Sequence, residues 1–149
     1  MTKSLPPRSL VLYADDDPDD VELVQDAFKA YNNNVELITF RNGVELLNYI
    51  NSPKNKLLPC LIILDVNMPR MNGKEVLLEL RRNKELEEVP VVLFSTSTLP
   101  SELAFAKSYD AGFLTKPLHA KQIFQLVDQM LQHCSEEVRR SLSNRRNKQ

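Results

Sequence analysis

Glycine is scarce in this chain of 149 residues: Gly43, Gly73 and Gly112 are the only three. Neither a GxGxxG nor a GxxxxGK[ST] phosphate loop is present, and three scattered glycines cannot build one, so nucleotide-binding readings fall away. Cysteine is nearly absent too. Cys60 and Cys134 lie far apart in sequence, with no CxxC and no metal-type spacing. They read as free thiols of a reducing compartment, Cys60 as a small buried hydrophobe and Cys134 as a thiol without an activating neighbour. The longest apolar runs, Leu10 to Ala14 and Cys60 to Leu64, are far short of the ~20 residues that cross a bilayer. The opening MTKSLPPRS has no apolar signal segment. Charge of one sign is also missing. The 19 basic and 20 acidic side chains leave a formal net charge of -1, so there is no whole-protein field for nucleic acid or membrane and any charge-based function is local. The expectation is a cytoplasmic single domain, long enough to bury roughly 68–70% of its unfolded surface without disulfides or a structural metal.

What the chain does have is alternation. Short apolar, β-branched runs occur at Leu10 to Ala14, Val35 to Phe40, Leu61 to Leu64 and Val89 to Phe94, with a weaker fifth at Phe113 to Thr115. Helical spacing fills the gaps. Val21, Val24 and Phe28 follow Pro18; Leu46, Leu47 and Ile50 follow Asn42; Val76, Leu77 and Leu80 follow Gly73. Leu99, Leu103 and Ala106 form a weaker stripe, and Ile123, Leu126, Val127, Met130 and Leu131 the cleanest. Five strand–helix repeats predict a parallel sheet with crossover helices on both faces, an open three-layer α/β sandwich. In such sheets ligands bind outside the carboxyl ends of the strands.

Those ends are polar. The first strand runs into Asp15, Asp16, Asp17, Pro18, Asp19 and Asp20, the third into Asp65, the fourth into Ser95 and Thr96, and the fifth into Lys116 and Pro117. Bringing the first, third and fifth ends together places Asp15, Asp16 and Asp65 opposite Lys116. Three close carboxylates need a cation or a shared proton. Mg²⁺, with its taste for carboxylates, waters and phosphate oxygens, suits this pocket. Asp65, fixed at the end of LIIL, is the candidate nucleophile toward phosphorus, with Ser95 and Lys116 binding phosphoryl oxygens. Asp17, Asp19 and Asp20 read as a solvated, dipole-favoured helix start. An EF-hand is set aside because the loop lacks its glycine and carries Asp26 rather than Glu at the twelfth position. Ser95 and Thr96 both remain able to face the site or cap the next helix.

The stretches LVLYADDDPDD, LIILDVNMPRMNG, PVVLFSTS and GFLTKP, in that order, resemble the receiver domain of two-component response regulators. The resemblance covers about residues 9 to 133 and implies a flavodoxin-like doubly wound (βα)5 fold with a five-stranded parallel sheet. It places the metal-binding acidic pair on Asp15 and Asp16, the phosphoryl acceptor on Asp65, a backbone carbonyl ligand on Asn67, the hydroxyl switch on Ser95, the lysine on Lys116 and an aromatic switch position on Phe113. It implies Mg²⁺ as cofactor and a cis Lys116–Pro117 peptide. The polar insert Ser52 to Pro59, with the LDVNMPRMNG and EVPVVLFSTS forms, is most similar to stand-alone receivers that partner bacterial phytochrome kinases.

The expected function is therefore phosphoacceptance from a sensor histidine kinase onto Asp65, which switches a protein-binding surface. That surface, formed by the fourth helix, fifth strand and fifth helix, meets a downstream protein or a second copy in a homodimer. No DNA or membrane partner is expected, and no turnover of a diffusing substrate. Aspartyl-nucleophile phosphatases want an acid two residues after the first Asp, and Asn67 stands there. A pseudo-receiver binding partners without phosphorylation, or a structural dimer, is the remaining alternative. Residues 1–8 read as an N-terminal arm and 134–149 as a basic tail, with Arg139, Arg140, Arg145, Arg146 and Lys148 against Glu136 and Glu137. The tail is too short for an output domain, and a frayed helix, a protein contact and a nucleic-acid contact all remain open for it. His119 and His133 read as surface residues, and Phe113 is open to a plain core role.

Overall fold

The computed structural model describes residues 9–31, 34–55, 57–97, 99–135 and 138–140. The expected N-terminal arm, Glu136, Glu137 and residues 141–149 of the tail lie outside these. Five strands, β1 (Ser9–Ala14), β2 (Val35–Phe40), β3 (Leu61–Asp65), β4 (Val91–Ser95) and β5 (Gly112–Thr115), alternate with α1 (Pro18–Tyr31), α2 (Gly43–Asn51), α3 (Gly73–Arg82), α4 (Pro100–Ser108) and α5 (Ile123–Leu131). The sheet order is β2-β1-β3-β4-β5. Every pairing is parallel. Chain order reverses beside β1, which leaves a crevice between the carboxyl ends of β1 and β3.

Strand alternation sorts the core onto two faces. Val11, Tyr13, Leu61, Ile63, Val92 and Phe94 pack with Val24 and Phe28 of α1 and Val127 and Met130 of α5. Leu10, Leu12, Ile62, Leu64 and Leu93 pack instead with Leu46, Val76, Leu80 and Ala106 from α2, α3 and α4. Side-chain caps start the first three helices. Asp17 Oδ1 accepts from the Asp19 and Asp20 amides at 2.9 and 3.5 Å, ahead of α1 with Pro18 in its first turn. Asn42 accepts from the Glu45 amide, and Asn72 forms a reciprocal capping box with Glu75.

Helix α4 departs from its expected stripe. Leu99 and Leu103 are 58% and 55% exposed, while Glu102 and Ala106 are buried. Residues 102 and 106 form the i, i+4 row laid on the sheet, so the Leu99 and Leu103 row turns outward. Glu102 Oε1 lies 4.0 Å from Lys74 Nζ on α3. Beyond α4, Asp110 takes the left-handed conformation (φ 54°) that ends many helices. Arg81 secures this turn: its Nε and Nη2 donate to the Tyr109 and Asp110 carbonyls at 2.8 and 3.0 Å, and its Nη1 donates to those of Glu87 and Val89.

Cys134 also departs from expectation. It is buried, and its Sγ lies 3.8 Å from that of buried Cys60. The cleanest stripe in the sequence lays α5 along the sheet, and the turn after Leu131 brings residue 134 down over the residue preceding β3. His133 stays on the surface, with its ring standing where a side chain on Gly112 would lie.

Candidate functional site

The ends of β1, β3 and β5 meet at one pocket. Asp15 is the first residue past β1, Asp65 the last of β3 and Lys116 the first past β5. Lys116 Nζ donates to Asp15 Oδ2 at 2.8 Å and to Asp65 Oδ2 at 3.2 Å. Carboxylate oxygens of Asp15, Asp16 and Asp65 all lie within 4.8 Å of one another, with Asp15 and Asp65 buried and Asp16 exposed. Asp65 Oδ1 accepts from the Asn67 amide at 3.1 Å. Gly73 is required beside it, because a Cβ there would stand 2.4 Å from the Asp65 carbonyl oxygen. The start of α3 thus sits directly on the backbone that carries Asp65. Arg70, in the intervening loop, holds a left-handed conformation (φ 65°).

Ser95 is fully buried at the end of β4, where its Oγ accepts from the Ser97 amide at 3.0 Å and its carbonyl accepts from the Lys116 amide at 2.7 Å. Thr96 is exposed. Phe113 is half-buried on β5 against the core face shared with α4. The peptides among the described residues include no cis bond, so Lys116–Pro117 is trans, contrary to the expectation. Trans is intrinsically favoured by about 0.5–1 kcal/mol, and Lys116 keeps both its strand pairing and its acidic partners with it.

Two participants were not expected. Asp20 Oδ2 accepts from Lys116 Nζ at 2.9 Å, so this residue of the first turn of α1 belongs to the pocket. Tyr13 donates from its hydroxyl to Asp15 Oδ2 at 2.5 Å. The i, i+2 rule of strands puts Tyr13 and Asp15 on one face and could have revealed this bond. No spacing in the acidic run distinguishes Asp20 from Asp19. The Lys116 ammonium also lies 5.6 Å from the centre of the Phe94 ring.

The electrostatics are under-compensated. Of four carboxylates gathered here, Asp15, Asp20 and Asp65 share one ammonium, and Asp16 lies beside Asp15 and Asp65. Burial and then the neighbouring Asp15 push the Asp65 carboxyl up to about 7, against the pull of Lys116 and the Asn67 amide. Burial pulls the Lys116 ammonium down, but its bonds to Asp15 and Asp20 outweigh that and raise it. Burial, then the charge of Asp15, raises the Tyr13 phenol, so it stays a donor. An all-oxygen donor set carrying surplus negative charge fits a hard divalent cation.

A phosphoacceptor module is the class that this fold and this pocket define, and the chain belongs to the response regulator receiver domain family, which it matches over residues 11–128. It is 33% identical to the response regulator Rcp1 of Synechocystis sp. over 133 residues, 84% of this chain and 87% of that protein. Its fold matches the crystal structure of the phosphorylated cyanobacterial phytochrome response regulator RcpA with a TM-score of 0.77 and 29% identity, covering 84% of this chain and 92% of that one. The Mn²⁺-bound form of Rcp1 matches with a TM-score of 0.74 and 30% identity over 83% and 91% of the two chains. The acidic cluster is poised for metal-assisted phosphoaspartate chemistry, the chemistry of phosphorelay receivers rather than of a turnover enzyme. Family membership implies a cognate histidine kinase. Among the described residues no helix is long and apolar enough to cross a membrane.

Proposed function

We propose that residues 9–133 form a stand-alone receiver that takes a phosphoryl group from the phosphohistidine of a phytochrome-type sensor kinase onto Asp65. The observation that carries this reading is the clustering of Asp15, Asp16 and Asp65 at the strand ends, with Lys116 bound to Asp15 and Asp65. Similarity to RcpA, named as a phytochrome response regulator, favours that kinase class. Asp16, Asp65 and the Asn67 carbonyl would hold Mg²⁺, with Asp15 acting through water; when bound, the ion offsets charge on the phosphoryl group.

The chain's own residues do the rest. Asp65, fixed on a rigid strand, attacks phosphorus with a carboxylate oxygen. The new O–P bond forms as the N–P bond breaks, and the electron pair leaves with the imidazole. Lys116 shifts from its carboxylate partners toward a phosphoryl oxygen, and the Ser95 hydroxyl turns to donate to another. The dianion thereby biases the surface of α4, β5 and α5, with Phe113 following. A downstream protein, or a second copy in a homodimer, reads that surface.

Intact-mass spectrometry after incubation with acetyl phosphate and Mg²⁺ tests the acceptor: one phosphoryl adduct is expected, lost in Asp65→Asn and with EDTA. Folded protein that takes no adduct overturns the mechanism in favour of a pseudo-receiver. Transfer from a phosphorylated phytochrome-type kinase, outpacing transfer from an unrelated histidine kinase, tests the partner.

A further inference from the structure

We propose that Cys60 and Cys134 form a peroxide-sensitive dithiol whose oxidation to an intramolecular disulfide locks the end of α5 to the start of β3. The two thiols are 74 residues apart in sequence, yet their sulfurs are in contact at 3.8 Å. Closing to the ~2.05 Å of a disulfide takes less than about 2 Å of travel. They lie at the amino end of β3, the opposite end from Asp65, so the pair stands apart from the phosphoacceptor pocket. Their cover is thin. Ser135 and Gln132 flank Cys134 and are exposed, and Cys60 retains 8% exposure, so the pair lies at the edge of the core.

The two sulfurs are not equivalent. Cys134 donates its S–H to Cys60. That bond lowers the Cys60 thiol, outweighing burial, while the same bond and burial hold Cys134 protonated. Cys60, the more exposed of the two at 8% against 4% and the acceptor of the Cys134 S–H, is the nucleophile and Cys134 the resolving thiol. The Cys60 thiolate attacks one peroxide oxygen; the O–O bond breaks, and the departing hydroxide leaves as water after taking up a proton. The Cys134 sulfur then displaces the sulfenic hydroxyl, the S–S bond forms, and the second water carries away the Cys134 proton. Two thiols and one hydrogen peroxide give one disulfide and two waters, each sulfur losing one electron.

The cross-link would fix more than α5. Val138 packs on the core cluster that holds both cysteines, and the Arg139 amide bonds the Ser135 carbonyl at 3.0 Å. The first described turn of the basic tail thus rests on the same core cluster as the dithiol.

The full reduced chain, treated with hydrogen peroxide and quenched with a maleimide in denaturant, reads this out. Expected are joint loss of both thiols, a mass decrease of two hydrogens, one non-reduced peptide linking residues 60 and 134, and reversal by dithiothreitol. The closed loop is long, so Tm should rise by roughly 10 °C. Cys60→Ala and Cys134→Ala should lose the cross-link and the rise; Cys134→Val serves if the alanine variant does not fold. Oxygen adducts on either cysteine without a cross-link overturn the proposal, as do disulfide-linked dimers. Thiols that stay reduced under conditions that oxidise the urea-unfolded chain, or a cross-link with no rise in Tm, also overturn it.

Discussion

Replacing Asp65 by Asn should stabilise the metal-free protein, and by an amount that depends on pH in a defined way. Asp65 is 5% exposed and faces Asp15, and its carboxyl rises from 3.8 to about 7 on folding. Between those values the folded chain binds more protons at this position than the unfolded chain. Stability therefore falls as pH rises from about 4 to 7 and levels off above. The full cost of ionising Asp65 in the folded site is about 4 kcal/mol. The amide carries no charge to bury, so at pH 8 in EDTA Asp65→Asn should be more stable than wild type by about 2–4 kcal/mol, and near pH 4 the gap should vanish. A divalent cation works on the same charge. Mg²⁺ at a hundredfold excess over its dissociation constant returns about 2.7 kcal/mol to the wild type and far less to the variant. Urea denaturation of both proteins from pH 4 to 8, with EDTA or Mg²⁺, measures each quantity. A gap of constant size across pH, or a variant less stable than wild type at pH 8 in EDTA, would refute the account of the pocket as charge-strained.

Lys116→Met removes the ammonium from Asp15, Asp20 and Asp65; metal-free stability above pH 7 should fall, Mg²⁺ should restore it, and acetyl phosphate labelling should remain impaired under both conditions. Gly73→Ala puts a methyl 2.4 Å from the Asp65 carbonyl oxygen, so labelling should slow by about tenfold or more while circular dichroism stays native. Arg81→Ala strands four carbonyls, and the urea midpoint should report a loss of about 2–3 kcal/mol, with Lys rescuing less than half. Asn72→Ala breaks the α3 capping box and should cost about 1 kcal/mol by the same measurement.

The sheet was legible because its inner strands β1, β3 and β4 are buried on both faces and read as unbroken apolar runs, and because Asn42 and Pro18 mark helix starts by local chemistry. The acidic pocket was legible because strand ends collect at one edge of a parallel sheet. What escaped depends on contacts distant in sequence. Whether Asp20 is solvated or bound to Lys116, 96 positions away, is decided by how α1 leans over the sheet. The Cys60–Cys134 contact needs the register of α5 against β3, which no spacing encodes. On α4 the apolar residues supply two plausible rows, and the sequence contains nothing that says a carboxylate, Glu102, takes the inner one. The trans Lys116–Pro117 bond corrects an expectation that came from family likeness rather than from these residues.

The Arg81 guanidinium makes α4 a lever with one fixed end. Its grip on the Tyr109 and Asp110 carbonyls anchors the last turn, whereas at the first turn Leu99 supplies no side-chain cap. The helix has nine residues, or about 13 Å of length, and a tilt of about 10° about the anchored end displaces the other by roughly 2 Å. Movement begun at Ser95 would then be graded along the helix, large at Leu99, smaller at Leu103 and nearly nil at Tyr109. On the proposed function, a partner gripping the leucine row would feel the phosphoryl group as a change of slope, while one gripping the far end would feel nothing.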